Sequence, residues 1–289
     1  MSADTDDLLA QLEADVAAQK GDDGESSDEP GRPEGGEEEP QEGASGGGLI
    51  DQYQAGVLSD RYLEMVLADW KNTGLLLMQA PLLAAMAVAV WGNVERATPT
   101  LYFVMVLSMF WVGCMNACRE IVKERALFLR ERMFNLDVGA YLFSKIRVLS
   151  LVAVMQVGLY TVICAKWIDT RVPIGWLGLT LLATAICGTC LGLLISSGVK
   201  RSDYAVAWVP LVIIPQIIFS EFTIDADQFQ GISEWAFRLM PARWPFEALM
   251  EFGQTSPHYF TAVGYVLPAL IYSALFLMVA YPILRVQRY

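Results

Sequence analysis

Six apolar stretches without a single Asp, Glu, Lys, Arg or His constrain this chain most: residues 74–91, 100–118, 148–165, 174–196, 205–219 and 260–284. Uncharged runs of about 18 residues or more are long enough to cross the hydrocarbon of a bilayer as helices. Backbone polar groups must then be satisfied inside each helix. The sequence therefore predicts an all-α membrane protein with six transmembrane helices. The fifth stretch is the short one: its 15 residues rise only ~22 Å against a core of ~30 Å, and Pro210 and Pro215 interrupt it. Residues 220–257 are expected to complete the crossing as an outer, re-entrant segment, anchored at the interface by Trp235, Trp244 and Tyr259.

A charged segment from Arg119 to Arg147 separates the second and third runs, with Arg119, Lys123, Arg125, Arg130, Arg132, Lys145 and Arg147 interleaved among Glu120, Glu124, Glu131 and Asp137. Short Lys- and Arg-rich segments stay on the cytoplasmic side. With this elbow inside, the residues after position 50 place 13 basic side chains in cytoplasmic segments and 5 outside. Both termini are then cytoplasmic. The chain is expected to be integral to the inner, or plasma, membrane.

The net charge of −12 misleads until it is divided, because residues 1–50 carry −13 and the remainder +1. Residues 1–50 are rich in Asp, Glu, Gly, Ser and Pro and have little to bury, which predicts a disordered acidic tail. Leu8, Leu9, Leu12 and Val16 recur at helical spacing there and suit a transient helix that docks on a partner. No basic n-region and apolar h-region precede the first run, so a cleaved leader is not expected. Residues 51–73 form the next unit. Val57, Leu58, Tyr62, Met65, Val66 and Trp70 share a helix face, with Ser59 placed to cap the start. This predicts an amphipathic connecting helix on the cytoplasmic surface, leading into a transmembrane domain over 74–289. Cys114, Cys118, Cys164, Cys187 and Cys190 all fall in apolar runs and are expected to act as small packing residues.

The six spans lack any ionisable relay, which argues against proton-coupled transport and intramembrane catalysis. His258 sits at the mouth of the last span and lacks partners for a catalytic or metal-binding set. No Lys is followed by Ser or Thr, so the GxxxxGK[ST] phosphate loop is missing. An enzyme is not expected, and no cofactor is assigned to these residues. Within the spans, neutral Asn116, Gln156 and Gln216 with aromatic Phe110 and Trp208 are candidates for a weakly polar substrate pathway that suits a lipid-like or amphipathic molecule. Interhelical hydrogen bonding is the alternative use of these amides. Gly188 and Gly192 form a GxxxG that permits close packing without naming a partner helix.

Four stretches resemble the membrane subunit of ABC exporters of the type-2, ABCG-like class: RYLEMVLADWKN with LLLMQAPLL, NACREIVKERALFLRERMFNLDVGAYLFSKI, GLLISSGVKRSDYAVAWVPLVIIPQIIFSEF and WAFRLMPARWPFEALMEF. Glu221 stands where many members have Gly. The resemblance implies a permease that pairs with itself or a sister subunit among membrane lipids, and that binds ATP-binding subunits holding ATP and Mg. It places Glu131, Arg132, Phe134 and Asn135 at the coupling contact, with Glu120, Glu124 and Arg125 on the supporting helix. Nucleic acid is not an expected partner. A membrane scaffold that recruits cytoplasmic partners through the acidic tail is the competing reading of the same residues.

Overall fold

A computed structural model describes residues 52–94, 97–134, 136–220 and 231–287. The acidic tail, its short apolar helix, Asn135 and Glu221 lie outside the described residues. In chain order the helices are α1 (Gln52–Ala68), α2 (Trp70–Trp91), α3 (Pro99–Ala117), a 3-10 turn (Val122–Glu124), α4 (Arg125–Met133), α5 (Val138–Trp167), α6 (Ile174–Gly198), α7 (Ser202–Ile218), α8 (Ile232–Leu239), α9 (Arg243–Phe252) and α10 (Tyr259–Val286). Every regular element among the described residues is helical. Five segments, Trp70–Trp91, Pro99–Met133, Val138–Trp167, Ile174–Gly198 and Tyr259–Val286, are long and apolar enough to cross a membrane. Helix α7 is apolar but shorter, at 17 residues, or roughly 26 Å.

The connecting helix differs from its sequence reading in two respects. It begins before Ser59, which is therefore not a cap: Ser59 is buried and donates its hydroxyl to the Ala55 carbonyl one turn back at 2.7 Å, a common use of a serine within a helix. The buried stripe is Ala55, Leu58, Ser59 and Tyr62, packed against α5, whereas Val57, Met65 and Trp70 are exposed. The helix also breaks before the first span. Asp69 leaves helical geometry at φ −87°, ψ 59° and its carboxylate accepts from Asn72 N at 3.4 Å, so α2 starts with an acidic cap.

Packing is closest between α3 and α6. A Cβ at Gly113 would overlap the Ala185 carbonyl oxygen, and one at Gly188 the Phe110 carbonyl oxygen. At Gly192 it would press on Cys114 and Ala117. Without side chains in the way, the two backbones meet along Phe110–Ala117 and Ala185–Gly192. In a bilayer such contact is what holds helices together, because burial from water drives little there. The partner of the GxxxG is thus α3 of the same chain. All five cysteines are free and buried, with Cys114, Cys187 and Cys190 on α3 and α6.

At the end of the bundle remote from the charged elbow, α9 lies on the starts of α3, α6 and α10. Trp176 stacks on Phe252 at 5.0 Å, Phe103 meets Phe246 edge-on at 6.0 Å, and the Tyr102 hydroxyl donates to the Thr170 carbonyl at 2.6 Å. Of the expected interfacial anchors, Trp235 and Tyr259 are exposed, whereas Trp244 is half-buried beside Tyr265, with ring centres 6.4 Å apart.

The glycine seam generates a direct test. Gly188→Ala is expected to lower the thermal midpoint of the purified protein, by the equivalent of about 1–3 kcal/mol for overpacking. Gly158→Ala, where nothing lies within 4 Å of the new Cβ, should leave it unchanged or raise it slightly. Equal midpoints for the two variants would show that the seam does not carry this packing.

Candidate functional site

The elbow between α3 and α5 is assembled from backbone capping and ion pairs in alternation. After α3 ends, the Ile121 and Val122 amides both donate to Ser196 Oγ at 3.0 Å, which ties the 3-10 turn to the end of α6. Helix α4 buries only Phe128, whose ring lies 4.8 Å from that of Tyr141. Asp137 then caps α5, accepting from Gly139 N at 3.1 Å and Ala140 N at 3.0 Å, while its own amide donates to Gln54 Oε1 of α1 at 3.1 Å. An Asp before a helix whose first amides are otherwise bare is the sequence reason that α5 starts here.

Three ion pairs cross the elbow. Lys145 Nζ is 2.5 Å from Glu124 Oε2 with only 2% of its side chain exposed, and it lies 3.5 Å from the centre of the Tyr62 ring. Lys123 meets Glu120 at 2.6 Å, and the Tyr62 hydroxyl donates to the same carboxylate. Burial, and next the negative charge of Glu120, push the Tyr62 hydroxyl far above the ordinary tyrosine range, so it stays a donor. Arg61 reaches both oxygens of Glu131, at 2.5 and 3.2 Å. This fork is half-exposed and is worth ~0.2–1 kcal/mol. Breaking the buried Lys145–Glu124 pair by removing one partner would cost ~3–5 kcal/mol.

Two arginines carry the elbow to the ends of other helices. Arg125 donates to the Val199 carbonyl just after α6. Arg132 donates to the carbonyls of Leu284 at 2.6 Å and Gln287 at 3.0 Å, and to that of Arg285, filling the unsatisfied acceptors at the end of α10. Gln287 Nε2 in turn donates to the Ser197 carbonyl at 2.7 Å. Of the residues the resemblance singled out, Glu120, Glu124, Arg125, Glu131 and Arg132 are thus bonded within the chain. Phe134 stands out at 82% exposed, beside Met133 at 59%. Asn135 is outside the described residues.

Sequence reasoning missed Arg61, Tyr62, Ser196 and Gln287 as partners of this elbow, and placed Lys145 in it without its buried pairing to Glu124. One signal was available: Lys145 lies at helical spacing from Tyr141, Val148, Leu149 and Val152, all buried, and a lysine on such a face requires a carboxylate.

The pathway candidates fall in three separate places. Asn116 Nδ2 donates to Gln156 Oε1 at 2.6 Å, and Gln156 Nε2 to the Leu76 carbonyl at 2.8 Å, joining α3, α5 and α2. Asn116 belongs to the wall of a cavity of about 200 Å³ that also involves Tyr62, Asp69, Thr73, Glu120 and Val152. Phe110 is fully enclosed at the α3–α6 seam. Trp208 and Gln216 are on α7, where Trp208 is 48% exposed and Gln216 is buried, accepting from Ala242 N at 3.0 Å. His258 is exposed, its amide donating to Glu251 Oε1 at 3.2 Å.

Comparison with known proteins agrees with this architecture. The family described as ABC-2 type transporter matches over residues 53–252, more than half of the chain. An ABC transporter ATP-binding/permease protein of Mycobacterium tuberculosis is 23% identical over 214 residues, covering 68% of this chain. The chain spans about a quarter of that relative's length, 25%. The matched stretch contains the connecting helix, the seam and the whole charged elbow. This chain belongs to the ABC-2 type transporter family, as an integral membrane permease.

Proposed function

We propose that this chain forms the membrane path of an ATP-driven exporter and receives its motion through the elbow, from an ATP-binding subunit that holds ATP and Mg. The single observation that carries the reading is the exposed Met133–Phe134 tip on an elbow bonded to α1, α5, α6 and α10. An exposed aromatic beside a flexible methionine on a rigid charged mount suits an anchor in a partner's pocket. The bonds behind it would pass displacement to four helices as one body. With the elbow cytoplasmic by its basic excess, both ends of the chain lie inside, in the inner or plasma membrane. Helix α7 serves as the sixth span, and α8 and α9 form the re-entrant outer segment that completes its crossing. Helix α7 buries only Ala205, Val209 and Gln216 in its own chain, so a second permease copy along its exposed Trp208 face would build the pathway between the two. Of the pathway candidates, exposed Trp208 and cavity-lining Asn116 would face a lipid-like or amphipathic substrate, with Gln156, Phe110 and Gln216 packed behind them.

Two measurements test this. Phe134→Ala with Met133→Ser should abolish most co-purification of an ATP-binding subunit, on the order of tenfold or more for loss of a central anchor, with an unchanged thermal midpoint because both side chains face outward. Retained partner binding in that variant would rule out the tip as the docking point. The Arg61–Glu131 fork separates an internal from an external use of Glu131. Glu131→Arg alone should impair transport-linked ATP hydrolysis, and the exchanged pair Arg61→Glu with Glu131→Arg should restore it. If the exchange rescues nothing, Glu131 acts on the partner rather than on α1.

A further inference from the structure

We infer that the groove between the elbow-side ends of α5 and α10 holds one anionic phospholipid, bound as a resident lipid rather than as cargo. The groove has a volume of about 550 Å³, within the ~300–1,000 Å³ of ordinary ligand sites. Its body is apolar, made by Leu142, Phe143 and Ile146 of α5 and Leu277 and Met278 of α10, and its end carries Tyr281 and Arg285. Tyr281 and Arg285 are one turn apart and so share a face of α10. Among the described residues, no hydrogen bond or ion pair engages the Arg285 guanidinium, and the lining contains no carboxylate.

Shape, depth and charge agree on the occupant. From Leu277 to Arg285 the helix rises about 12 Å, close to half of the ~30 Å hydrocarbon core, which is the reach of one acyl chain from the headgroup level toward the midplane. Phe143 and Met278, at 48% and 72% exposed, leave the groove open along its side. A lipid can therefore enter laterally from the bilayer. Arg285 then stands where the phosphate of such a lipid lies, with a five-donor guanidinium suited to it and Tyr281 lining the groove one turn before it. A second copy of this chain would instead need an apolar or acidic complement at Arg285, and a zwitterionic lipid would bring a choline cation to a site with no anion. Basic pockets between helices on the cytoplasmic side are known to select anionic headgroups. Because Arg132 bonds the Arg285 carbonyl, the site adjoins the elbow, and lipid occupancy would stiffen the end of α10. A resident lipid here is independent of which substrate is moved and of whether the tip docks a partner.

Native mass spectrometry of the full-length protein, released from detergent after exposure to equal phosphatidylglycerol and phosphatidylcholine, tests it. One phosphatidylglycerol per chain should be retained in preference to phosphatidylcholine. Arg285→Gln should reduce that retention about tenfold, the effect of losing one charge-assisted contact, while Arg201→Gln, an exposed cation on the α6–α7 turn, should not. Met278→Trp, which fills the groove without touching the cation, should also reduce it. Equal retention of the two lipids, or loss with Arg201→Gln equal to that with Arg285→Gln, would overturn the site in favour of bulk charge attraction. A Met278→Cys protein that forms a disulfide-linked dimer in membranes would overturn it in favour of a second copy, a readout left clear by the burial of all five native cysteines.

Discussion

A lysine with 2% of its side chain exposed at the boundary of a bilayer is tenable only when a carboxylate meets it, and Glu124 meets Lys145 at 2.5 Å. The pair joins the end of the 3-10 turn to α5. Tyr62 brings in α1, placing its ring against the ammonium and its hydroxyl on Glu120. Removing either member would strand a charge in a largely buried site, a change that costs several kcal/mol. The surface pairs around it add little by themselves. They matter because the buried pair has already fixed the helices that bear them.

The elbow and the membrane bundle are also continuous through α6. Ala185, Gly188, Gly192 and Ser196 recur on one stripe of that helix, at intervals that keep them on a single face. The first three admit the backbone of α3. The fourth, a single turn beyond Gly192, accepts the two amides with which the chain leaves α3. Small residues thus serve two purposes along one line: close approach inside the hydrocarbon, then hydrogen bonding at its edge. A shift of α3 relative to α6 would break both at once, so the two helices and the turn between α3 and α4 must move together.

Membrane helices were legible because hydrocarbon tolerates so little: a long run without charge suits few structures besides a spanning helix. The elbow was marked by its charges in the same way. What the sequence did not disclose were partnerships across long separations. Arg61 and Glu131 are individually ordinary exposed charges, and only folding brings α1 beside α4 to make them a fork. Ser59 has the composition of a cap, yet the helix begins earlier, because Ala55 and Leu58 give it an apolar stripe to bury against α5. Asn116 and Gln156 were grouped by polarity alone; their mutual bond depends on the α3–α5 crossing, and the same polarity left Gln216 at the far end of α7. Phe134 has the spacing of an apolar helix face with Ile121, Phe128 and Leu129, yet it follows the end of α4 and is 82% exposed; the resemblance, not the spacing, set it apart from the other three.

The strengths of these contacts decide which part of the elbow a docking protein can move. Helix α1 is held to α5 by Leu58 and Tyr62, side chains whose burial contributes ~1.5–3 kcal/mol each, and α5 is held by the Lys145–Glu124 pair. Helix α4 has one buried phenylalanine, the Arg61–Glu131 fork at ~0.2–1 kcal/mol, and charge-assisted bonds from Arg125 to the end of α6 and from Arg132 to the end of α10, each worth ~1.5–3 kcal/mol. The fork is therefore the weakest of its attachments and the arginine bonds are the strongest. A displacement imposed on α4 at the proposed Met133–Phe134 docking point would pass first to the ends of α6 and α10, with α1 following through the fork and through its packing on α5.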